Sequence, residues 1–328
     1  MSGAMHKNSP KRAIRSVFGP VRSGRLGASL GLDLLGARIC SFDCLYCEVG
    51  KTEAKTTVRK PYVPASRVLD ELSDYCAKNH PPFDVVTLGG QGEPTLNADM
   101  GEILAGAKKI AGGVPTAVLT NSAHLSDPGV RAELCLADIV LPSLDSLVPD
   151  EFSRLNQPHP DISLAGVLEG LLAFRSAFSG KIYLETLLCA GINDTRENLE
   201  ALEVFSRRLR PDRVDVVTVS RPGAWPGAGA VSQETMERFR AALSPGAPSP
   251  HLAGHGPAAL LGAAISGLSQ DELEARALAS LSRRPQTAGQ LAGALGLDPA
   301  MTRRLLERLC GEGKILSREE LDDVFYSG

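Results

Sequence analysis

The apolar positions between residues 29 and 243 follow two alternating patterns, which predict strands and helices in turn. Short apolar runs predict buried strands at residues 29–35, 84–88, 115–120, 138–142, 181–188 and 213–219. Apolar residues at helical spacing predict helices over residues 65–78, 99–111, 128–135, 164–178, 195–210 and 233–243. Six such units with mostly apolar strands indicate an α/β fold in which helices cover a parallel sheet. Because a closed barrel of this kind has eight strands, we expect a partial (β/α)6 barrel.

The C-terminal residues have a different pattern, in which three helices precede two short strands. The helices are predicted over residues 271–281, 287–296 and 298–310, and the strands over residues 314–317 and 324–326. Asp298 and Pro299 are residue types that favour the cap and the first turn of a helix. The arrangement resembles a small winged helix-turn-helix domain.

These patterns divide the chain into four parts. We expect a disordered arm over residues 1–14, the α/β domain over residues 15–243, a linker rich in Gly, Pro and Ala over residues 244–267, and the winged-helix-like domain over residues 268–328. The motifs of chemical interest fall in the α/β domain, at the carboxyl ends of its strands. Ligands bind at that edge of the sheet in folds of this class.

Composition and charge narrow the classes of function. The 328 residues are 43% hydrophobic, which is enough for a large core, and the formal net charge is −3. A chain with this charge has no overall basic field to attract nucleic acid or a membrane. No apolar run approaches the ~18 residues of a membrane span, and the N-terminus lacks the apolar segment of a signal peptide. We therefore expect a cytoplasmic protein with no membrane partner.

Three of the seven cysteines lie close together and carry the strongest chemical signal. Cys40, Cys44 and Cys47 have the spacing C-x3-C-x2-C. Three thiolates leave one iron of a [4Fe–4S] cluster without a protein ligand, and chemistry takes place at an open metal position. The alternative, a structural zinc site, normally has four ligands, and no second cysteine pair or nearby histidine supplies the fourth. A disulfide framework is disfavoured by the odd number of cysteines.

Glycine and polar residues mark the ends of the other predicted strands. Gly90, Gly92 and Glu93 follow the second strand, where glycine lets the backbone approach a ligand closely and the carboxylate can complement an ammonium group. The candidates at the ends of later strands are Asn121, Ser143, Asp145 and Arg221. Asn and Asp are also ordinary turn formers, and an arginine before a Pro-Gly turn is a common surface residue. A purely structural role therefore stays open for each of these later candidates.

The cysteine motif, followed by these segments, resembles the radical S-adenosylmethionine (SAM) superfamily. The runs RSGRLG at residues 22–27, RLNQPH at 154–159, GIND at 191–194 and VSRP at 219–222 narrow the resemblance to the wyosine-synthase-like group, over about residues 15–240. The resemblance implies a partial TIM-like barrel of the radical SAM type. Members of the group usually have arginine where this chain has Gly24, and wyosine synthases have further cysteines before the motif, whereas none precedes Cys40. The resemblance therefore implies the chemistry and leaves the substrate open.

The same resemblance implies a role for each candidate residue. Cys40, Cys44 and Cys47 would bind a [4Fe–4S] cluster, whose fourth iron binds the amino and carboxylate groups of SAM. Tyr46 would lie against the adenine ring. The other contacts with SAM would come from Gly90, Gly92, Glu93, Asn121, Ser143, Asp145 and Arg221. Arg221 can equally pair with an anionic group of the substrate.

The function that this resemblance implies is a radical SAM enzyme. One electron from a flavodoxin- or ferredoxin-type donor would cleave SAM to methionine and a 5′-deoxyadenosyl radical, which abstracts hydrogen from a substrate. The winged-helix tail could bring a macromolecular substrate, either tRNA or a peptide. Residues 271–328 contain eight Lys and Arg against ten Asp and Glu, which disfavours nucleic acid, so tRNA, peptide and simple packing all stay open. The alternative outside this class is an iron–sulfur redox sensor that binds DNA through the tail.

Overall fold

A curled, seven-stranded sheet forms the centre of the computed structural model, which describes residues 15–78, 81–244, 269–321 and 323–328. The strand order is β1-β2-β5-β6-β7-β8-β9, and every neighbouring pair is parallel except β1 and β2. The strands of this sheet are β1 (Val17–Ser23), β2 (Gly27–Leu32), β5 (Val85–Leu88), β6 (Thr116–Thr120), β7 (Ile139–Pro142), β8 (Lys181–Leu188) and β9 (Arg213–Thr218). The expected α/β partial barrel is confirmed, and six of its strands lie where the apolar runs place them.

Helices cover the outer face of the sheet. They are α1 (Ala65–Ala77), α2 (Met100–Ile110), α3 (Pro128–Leu134), α4 (Pro149–Asn156), α5 (Leu164–Ala177), α6 (Arg196–Leu209) and α7 (Gln233–Leu243). Their apolar faces and the strands bury one continuous core, in which Phe174, Phe239 and Met100 are fully buried. Burial on this scale is the main source of stability for a domain of this size.

Two elements of the barrel are missing from the sequence-based prediction, β1 and α4. Gly19 and Pro20 interrupt the apolar pattern of β1, which is an edge strand where such residues are tolerated. Gly31 on β2 makes room for it, because a Cβ at that position would lie 2.1 Å from the Phe18 ring. Helix α4 begins after Val148, which supplies no capping side chain, so the sequence lacks the start signal that Asp127 gives α3. The Asn156 side chain of α4 contacts the cysteine loop.

Residues 269–328 form a separate group of three helices and a small antiparallel sheet. The elements are α8 (Gln270–Leu281), α9 (Ala288–Leu295), α10 (Pro299–Gly311), β10 (Gln286–Thr287), β11 (Leu316–Glu320) and β12 (Asp323–Ser327), with the strand order β10-β12-β11. Ser269 and Thr287 each begin a capping box, and Asp298 caps α10, as the residue types favour. The helices and the hairpin lie close to their expected positions, while the winged-helix assignment stays a prediction.

The C-terminal group lies against the β1–β2 edge of the barrel. Helix α9 packs on β1. Arg283 donates to Asp33 at 3.0 Å and to the Arg15 carbonyl at 2.9 Å, and its guanidinium stacks 3.8 Å from the centre of the Phe18 ring. The expected arm over residues 1–14 and nearly all of the expected linker, residues 245–267, lie outside the described residues. Within the part of the chain that is described, no helix is both long and apolar enough to span a membrane.

Candidate active site

The cysteine loop is held in place by segments that are remote in sequence. It begins at β3 (Ile39–Cys40), which pairs in parallel with β4 (Ala54–Lys55). In the middle of the loop, the Leu45 N–H donates to the Leu155 carbonyl of α4 at 2.9 Å, and the Leu45 carbonyl accepts from the Trp225 N–H at 3.1 Å. Helix α4 and the segment after β9 therefore fix the loop from two sides.

Burial raises the pKa of each of the three thiol groups in the loop. Burial, followed by neighbouring negative charges, raises the pKa of Cys40 to about 12, and burial together with the other two thiolates raises the pKa of Cys44 well above its usual value. Nitrogen donors nevertheless point at the sulfur atoms. The Asn121 side-chain amide lies 3.4 Å from Cys40 Sγ, and the Asn156 amide lies 3.5 Å from Cys44 Sγ. Such donors stabilise thiolates, the form in which cysteine binds iron.

This donor set fits a [4Fe–4S] cluster with one iron open. A bound metal would turn the mutual repulsion of three thiolates into attraction and so lower the pKa of each thiol. Among the residues that the structure describes, no three His, Cys, Asp or Glu side chains converge tightly enough to hold a single metal ion. A cluster does not need such convergence, because each cysteine binds a different iron.

The glycine-rich turn after β5 lies directly against the start of the cysteine loop. A Cβ on Gly92 would lie 1.9 Å from the Ile39 carbonyl oxygen, and one on Gly90, which has a φ of +153°, would lie 2.8 Å from Asp33 Cγ. The Glu93 N–H donates to the Ile39 carbonyl at 3.1 Å. The glycines therefore allow the turn to approach the cysteine loop closely, and both glycines line the cavity described below.

Glu93 is buried, and the protein supplies hydrogen-bond donors to both of its carboxylate oxygens. One oxygen accepts from the hydroxyls of Thr95 and Thr120 at 2.6 and 2.7 Å, and the other accepts from the Asn121 N–H at 2.7 Å. Burial raises the pKa of Glu93 above its usual value, and these hydrogen bonds oppose the increase. Glu93 thus joins the glycine-rich turn to the end of β6, while its expected contact with SAM stays a prediction.

Asp145 lies behind Tyr46 rather than on the cavity surface. Its carboxylate accepts from the Tyr46 hydroxyl at 2.5 Å, from the Asn156 amide at 2.7 Å and from the Leu187 N–H at 2.9 Å. The Asn156 amide also contacts Cys44, so the network links the end of β7 to the cysteine loop. This geometry orients the Tyr46 ring at the cavity, while the expected contact of Asp145 with SAM stays a prediction.

Asn121 and Ser143 lie next to each other at the ends of β6 and β7. Besides its contact with Cys40, the Asn121 amide donates to the Ser41 hydroxyl at 2.9 Å. The Ser143 N–H donates to the Thr120 carbonyl at 2.8 Å, which keeps the two strand ends together. Both residues line the cavity, as the sequence predicts for strand ends at this edge.

Arg221 is paired with Glu48, the residue that follows the last cysteine. Its Nη1 lies 2.9 and 2.8 Å from the two carboxylate oxygens, and its Nε donates to Gln290 Oε1 at 3.1 Å. Arg284 of the C-terminal group also donates to Glu48, at 3.3 Å. Glu48 therefore ties the cysteine loop to β9 and to the C-terminal group, and the expected contact of Arg221 with a ligand stays a prediction.

A cavity of about 1630 Å³ joins these residues into one site. Of the eleven residues that the sequence singles out, only Asp145 does not line it. The opposite wall comes from the β1–β2 hairpin and from helices α8 and α9 of the C-terminal group. The barrel and the C-terminal group thus enclose the site together.

Sequence reasoning overlooks several residues of the site. Asn156 lies inside the run RLNQPH, and Glu48 follows Cys47, so both could have been found by inspecting the motifs more closely. Arg25 lies inside the run RSGRLG and could have been found in the same way. Its partner Glu185, in the middle of β8, forms an ion pair with it at the cavity wall and gave no comparable signal. Arg284 gave no signal either, because the sequence around it does not indicate that its side chain contacts the barrel.

Comparison with known proteins places this fold and site in a family. The sequence profile of the Radical SAM superfamily matches residues 34–204, slightly more than half of the chain. The chain therefore belongs to the radical SAM superfamily, whose members are enzymes that bind a [4Fe–4S] cluster and SAM. Within that superfamily it is a member of the family of UPF0026 proteins, because it is 40% identical over 208 residues to a UPF0026 protein from Synechocystis sp., covering 63% of this chain and 76% of that one.

A second relative shares nearly the whole chain but is much longer. The protein named GTPase Obg from Brachyspira hyodysenteriae is 32% identical over 320 residues, which are 96% of this chain. The chain spans only 45% of the length of that relative. The GTPase activity in that name is said of the relative alone. This chain has Leu45 where a G-x-x-x-x-G-K-S/T loop ending in Gly50, Lys51 and Thr52 would need glycine.

A solved structure with a related architecture is TYW1 with a lysine–pyruvate adduct bound. It is 15% identical to this chain, with a TM-score of 0.49, and the match covers 70% of this chain and 76% of that one. A likeness of this size adds nothing to what the sheet topology already shows.

Proposed function

We propose that this protein uses a [4Fe–4S] cluster on Cys40, Cys44 and Cys47 to cleave SAM reductively to methionine and a 5′-deoxyadenosyl radical, which abstracts hydrogen from a substrate. The observation that carries the proposal is the convergence of the three cysteines and of the strand-end residues other than Asp145 on one cavity. The electron comes from a flavodoxin- or ferredoxin-type donor, and the abstracted hydrogen leaves in 5′-deoxyadenosine.

The protein contributes binding, orientation and shielding to this reaction. Tyr46, held by Asp145, offers a fixed ring for the adenine. The glycine-rich turn leaves backbone room for the methionine part of SAM, and Asn121 and Ser143 supply polar groups beside it. The C-terminal group covers the cavity from the other side, which limits the access of water to a reactive radical.

The class of substrate is a narrower question. We propose that the chain resembles the wyosine-synthase-like group in its barrel, and that residues 268–328 form a winged-helix-like domain facing the substrate rather than DNA. Arg308, on the helix that would read DNA, is paired with Glu274 and Glu312, each at 2.9 Å. These pairs, with the acidic balance of the tail, argue against a DNA-binding regulator, while tRNA and peptide substrates both stay compatible.

The proposal is tested by anaerobic reconstitution with iron and sulfide. Addition of dithionite and SAM is expected to yield 5′-deoxyadenosine, measured by liquid chromatography and mass spectrometry. Cys44→Ala is expected to lose the visible absorbance of the cluster and all of the product, because a cubane needs three protein thiolates here. Cys310→Ala, in the C-terminal group, is the matched control and is expected to keep both. A fully loaded wild type that yields no 5′-deoxyadenosine would contradict the proposal.

A further inference from the structure

The wall of the cavity carries far more positive than negative side chains. Nine arginines and lysines line it, against five aspartates and glutamates. The chain as a whole has a net charge of −3, so this surface departs from the overall balance in sign. A concave wall with one sign of charge focuses the electric field and concentrates ions of the opposite sign.

The protein itself already supplies partners to all five carboxylates in this wall. Glu48 has Arg221 and Arg284, Glu185 has Arg25, Asp74 has Lys78, Glu71 accepts from the N–H groups of Ser16 and Val17, and Glu93 accepts from hydroxyls and an N–H group. Several arginines in the same wall are left without a carboxylate. The guanidinium group of Arg22 makes no ion pair or hydrogen bond with any part of the chain that the structure describes, and Arg22 borders the cavity.

The excess of positive over negative side chains is clearest around Glu48. Arg221 and Arg284 share this one carboxylate, and Arg25 is close enough to feel its charge and that of Arg284. Burial, followed by the charge of Arg221, lowers the pKa of Arg284. The charges around Arg25 also include Glu185, Asp215 and Arg213. Four guanidinium groups, drawn from the barrel and from the C-terminal group, therefore share three carboxylates.

The cofactors do not supply enough negative charge to balance this wall. An oxidised [4Fe–4S] cluster with three thiolates carries one net negative charge, and SAM carries no net charge when its neutral amine and its carboxylate bind the open iron. Together they carry one negative charge, whereas the wall has four more positive than negative side chains, so an excess persists when both are bound. A further anionic ligand is the natural complement, and guanidinium groups match the geometry of oxyanions such as phosphate and carboxylate.

We propose that Arg22, Arg25 and Arg284 form a composite site, shared by the β1–β2 hairpin and the C-terminal group, that binds an oxyanion group of the substrate. The inference rests on the proposed function, since it concerns the substrate of that reaction. The oxyanion is a phosphate ester or a carboxylate. The C-terminal group therefore acts by supplying Arg284 to the site, and substrates that lack an anionic group are rejected.

Isothermal titration calorimetry on the cluster-loaded full chain, saturated with SAM at low ionic strength, tests the site directly. The probes are inorganic phosphate and malonate. Binding of phosphate alone assigns a phosphate ester, binding of malonate alone assigns a carboxylate, and binding of both supports the shared oxyanion chemistry. Arg22→Ala and Arg284→Met are each expected to weaken binding about tenfold or more, as the loss of a charge-assisted hydrogen bond implies.

The matched control is Arg196→Met, which removes the same charge from an exposed position of α6 whose guanidinium pairs with Glu200. It is expected to bind the probe as wild type does. Arg284→Met also removes one of the two partners of Glu48, whereas Arg22→Ala takes no partner from any carboxylate. Arg22→Ala is therefore the decisive variant. The inference is wrong if neither probe binds, or if Arg22→Ala binds as tightly as wild type.

The two proposals fail in different ways. Anion binding that depends on Arg22, in a loaded protein that makes no 5′-deoxyadenosine, overturns the proposed function and keeps the oxyanion site. Production of 5′-deoxyadenosine without anion binding keeps the proposed function and overturns the oxyanion site.

Discussion

The barrel and the C-terminal group are stabilised by cores of very different size. In the barrel, one continuous core runs beneath the whole sheet. In residues 269–328, the core consists of Ala277, Leu281, Leu291, Leu306, Leu309 and Ile315. Small cores supply little stability of their own, so the C-terminal group depends on its contacts with the barrel far more than the reverse.

The two regions also differ in where their charged groups lie. The barrel buries Glu93 and Asp145 at the edge of its sheet, where each carboxylate costs stability that the large core can offset. The C-terminal group instead directs Arg283 and Arg284 towards the barrel and has its own ion pairs at the surface. The barrel therefore supplies the framework for the chemistry, and the C-terminal group contributes positive charge and forms part of the cavity wall.

The largest expected effect comes from the small core. Leu306→Ala removes a fully buried side chain and is expected to cost about 2–5 kcal/mol, enough to unfold α10 and its neighbours while the barrel stays folded. Hydrogen exchange is expected to accelerate in α8 and α10 and to stay slow in α2. The control, Leu316→Ala, alters a side chain that is 74% exposed and is expected to change neither. Equal acceleration in α2 would show that the two regions unfold as one unit.

Protonation of His124 is expected to destabilise the barrel as the pH falls. Burial, followed by the charge of Arg59, lowers the pKa of His124 to about 4 from a usual value of 6.5. A folded-state pKa below the unfolded value means that the unfolded chain binds the proton first, so stability falls as the pH drops from 6.5 towards 4.

Between pH 7 and pH 5, His124 is expected to lower the free energy of unfolding of the barrel by about 2 kcal/mol. Urea unfolding of the barrel, followed by tryptophan fluorescence from Trp225, measures it. His124→Gln is expected to remove this part of the pH dependence. Residues 269–328 contain no histidine, so the stability of α10, measured by hydrogen exchange, has no dependence on histidine protonation within its own region. An unchanged pH profile in the variant would contradict the assignment to His124.

The smallest expected effect is on the contact between the two regions. Glu48→Gln removes the charge that holds Arg221 and Arg284. These arginine side chains are 17% and 35% exposed, so solvent screens the ion pairs, and the contact between the two regions is expected to be weakened by about 1 kcal/mol. Exchange in α9 is expected to accelerate severalfold, while the cluster absorbance is retained. The matched control Glu53→Gln breaks the exposed pair with Arg38 in the same loop and is expected to leave α9 unchanged. Protection of α9 equal to that of wild type would show that Glu48 does not secure the contact.

Most of the barrel could be predicted because its elements are long and regular. The bounds of β8 and α7 agree with the predicted ranges to the residue, since each is an unbroken apolar or amphipathic run. Helix α4 was not predicted because Val148, the residue before it, supplies no capping side chain, unlike the residues before the equally short helices α3 and α9. Its value to the fold lies in tertiary contacts, such as the Leu155 carbonyl that accepts from the cysteine loop.

The candidate site was predictable in its members and less so in their roles. The cysteines and the strand-end residues could be found because parallel strands end at a common edge. The sequence alone does not tell that Asp145 lies behind Tyr46, or that Arg221 already has Glu48 as a partner. Which neighbour a side chain meets depends on packing between segments that are far apart in the chain.

The amino-acid sequence by itself determined the alternation of strands and helices, the spacing of the three thiols and the identity of the strand-end residues. Each of these is a local property of period, capping or spacing. Tertiary structure alone decided that Arg284 approaches Glu48 and that the C-terminal group walls the cavity. The physical reason is that docking depends on surface shape and charge pairing between remote segments, for which the local pattern carries no signal.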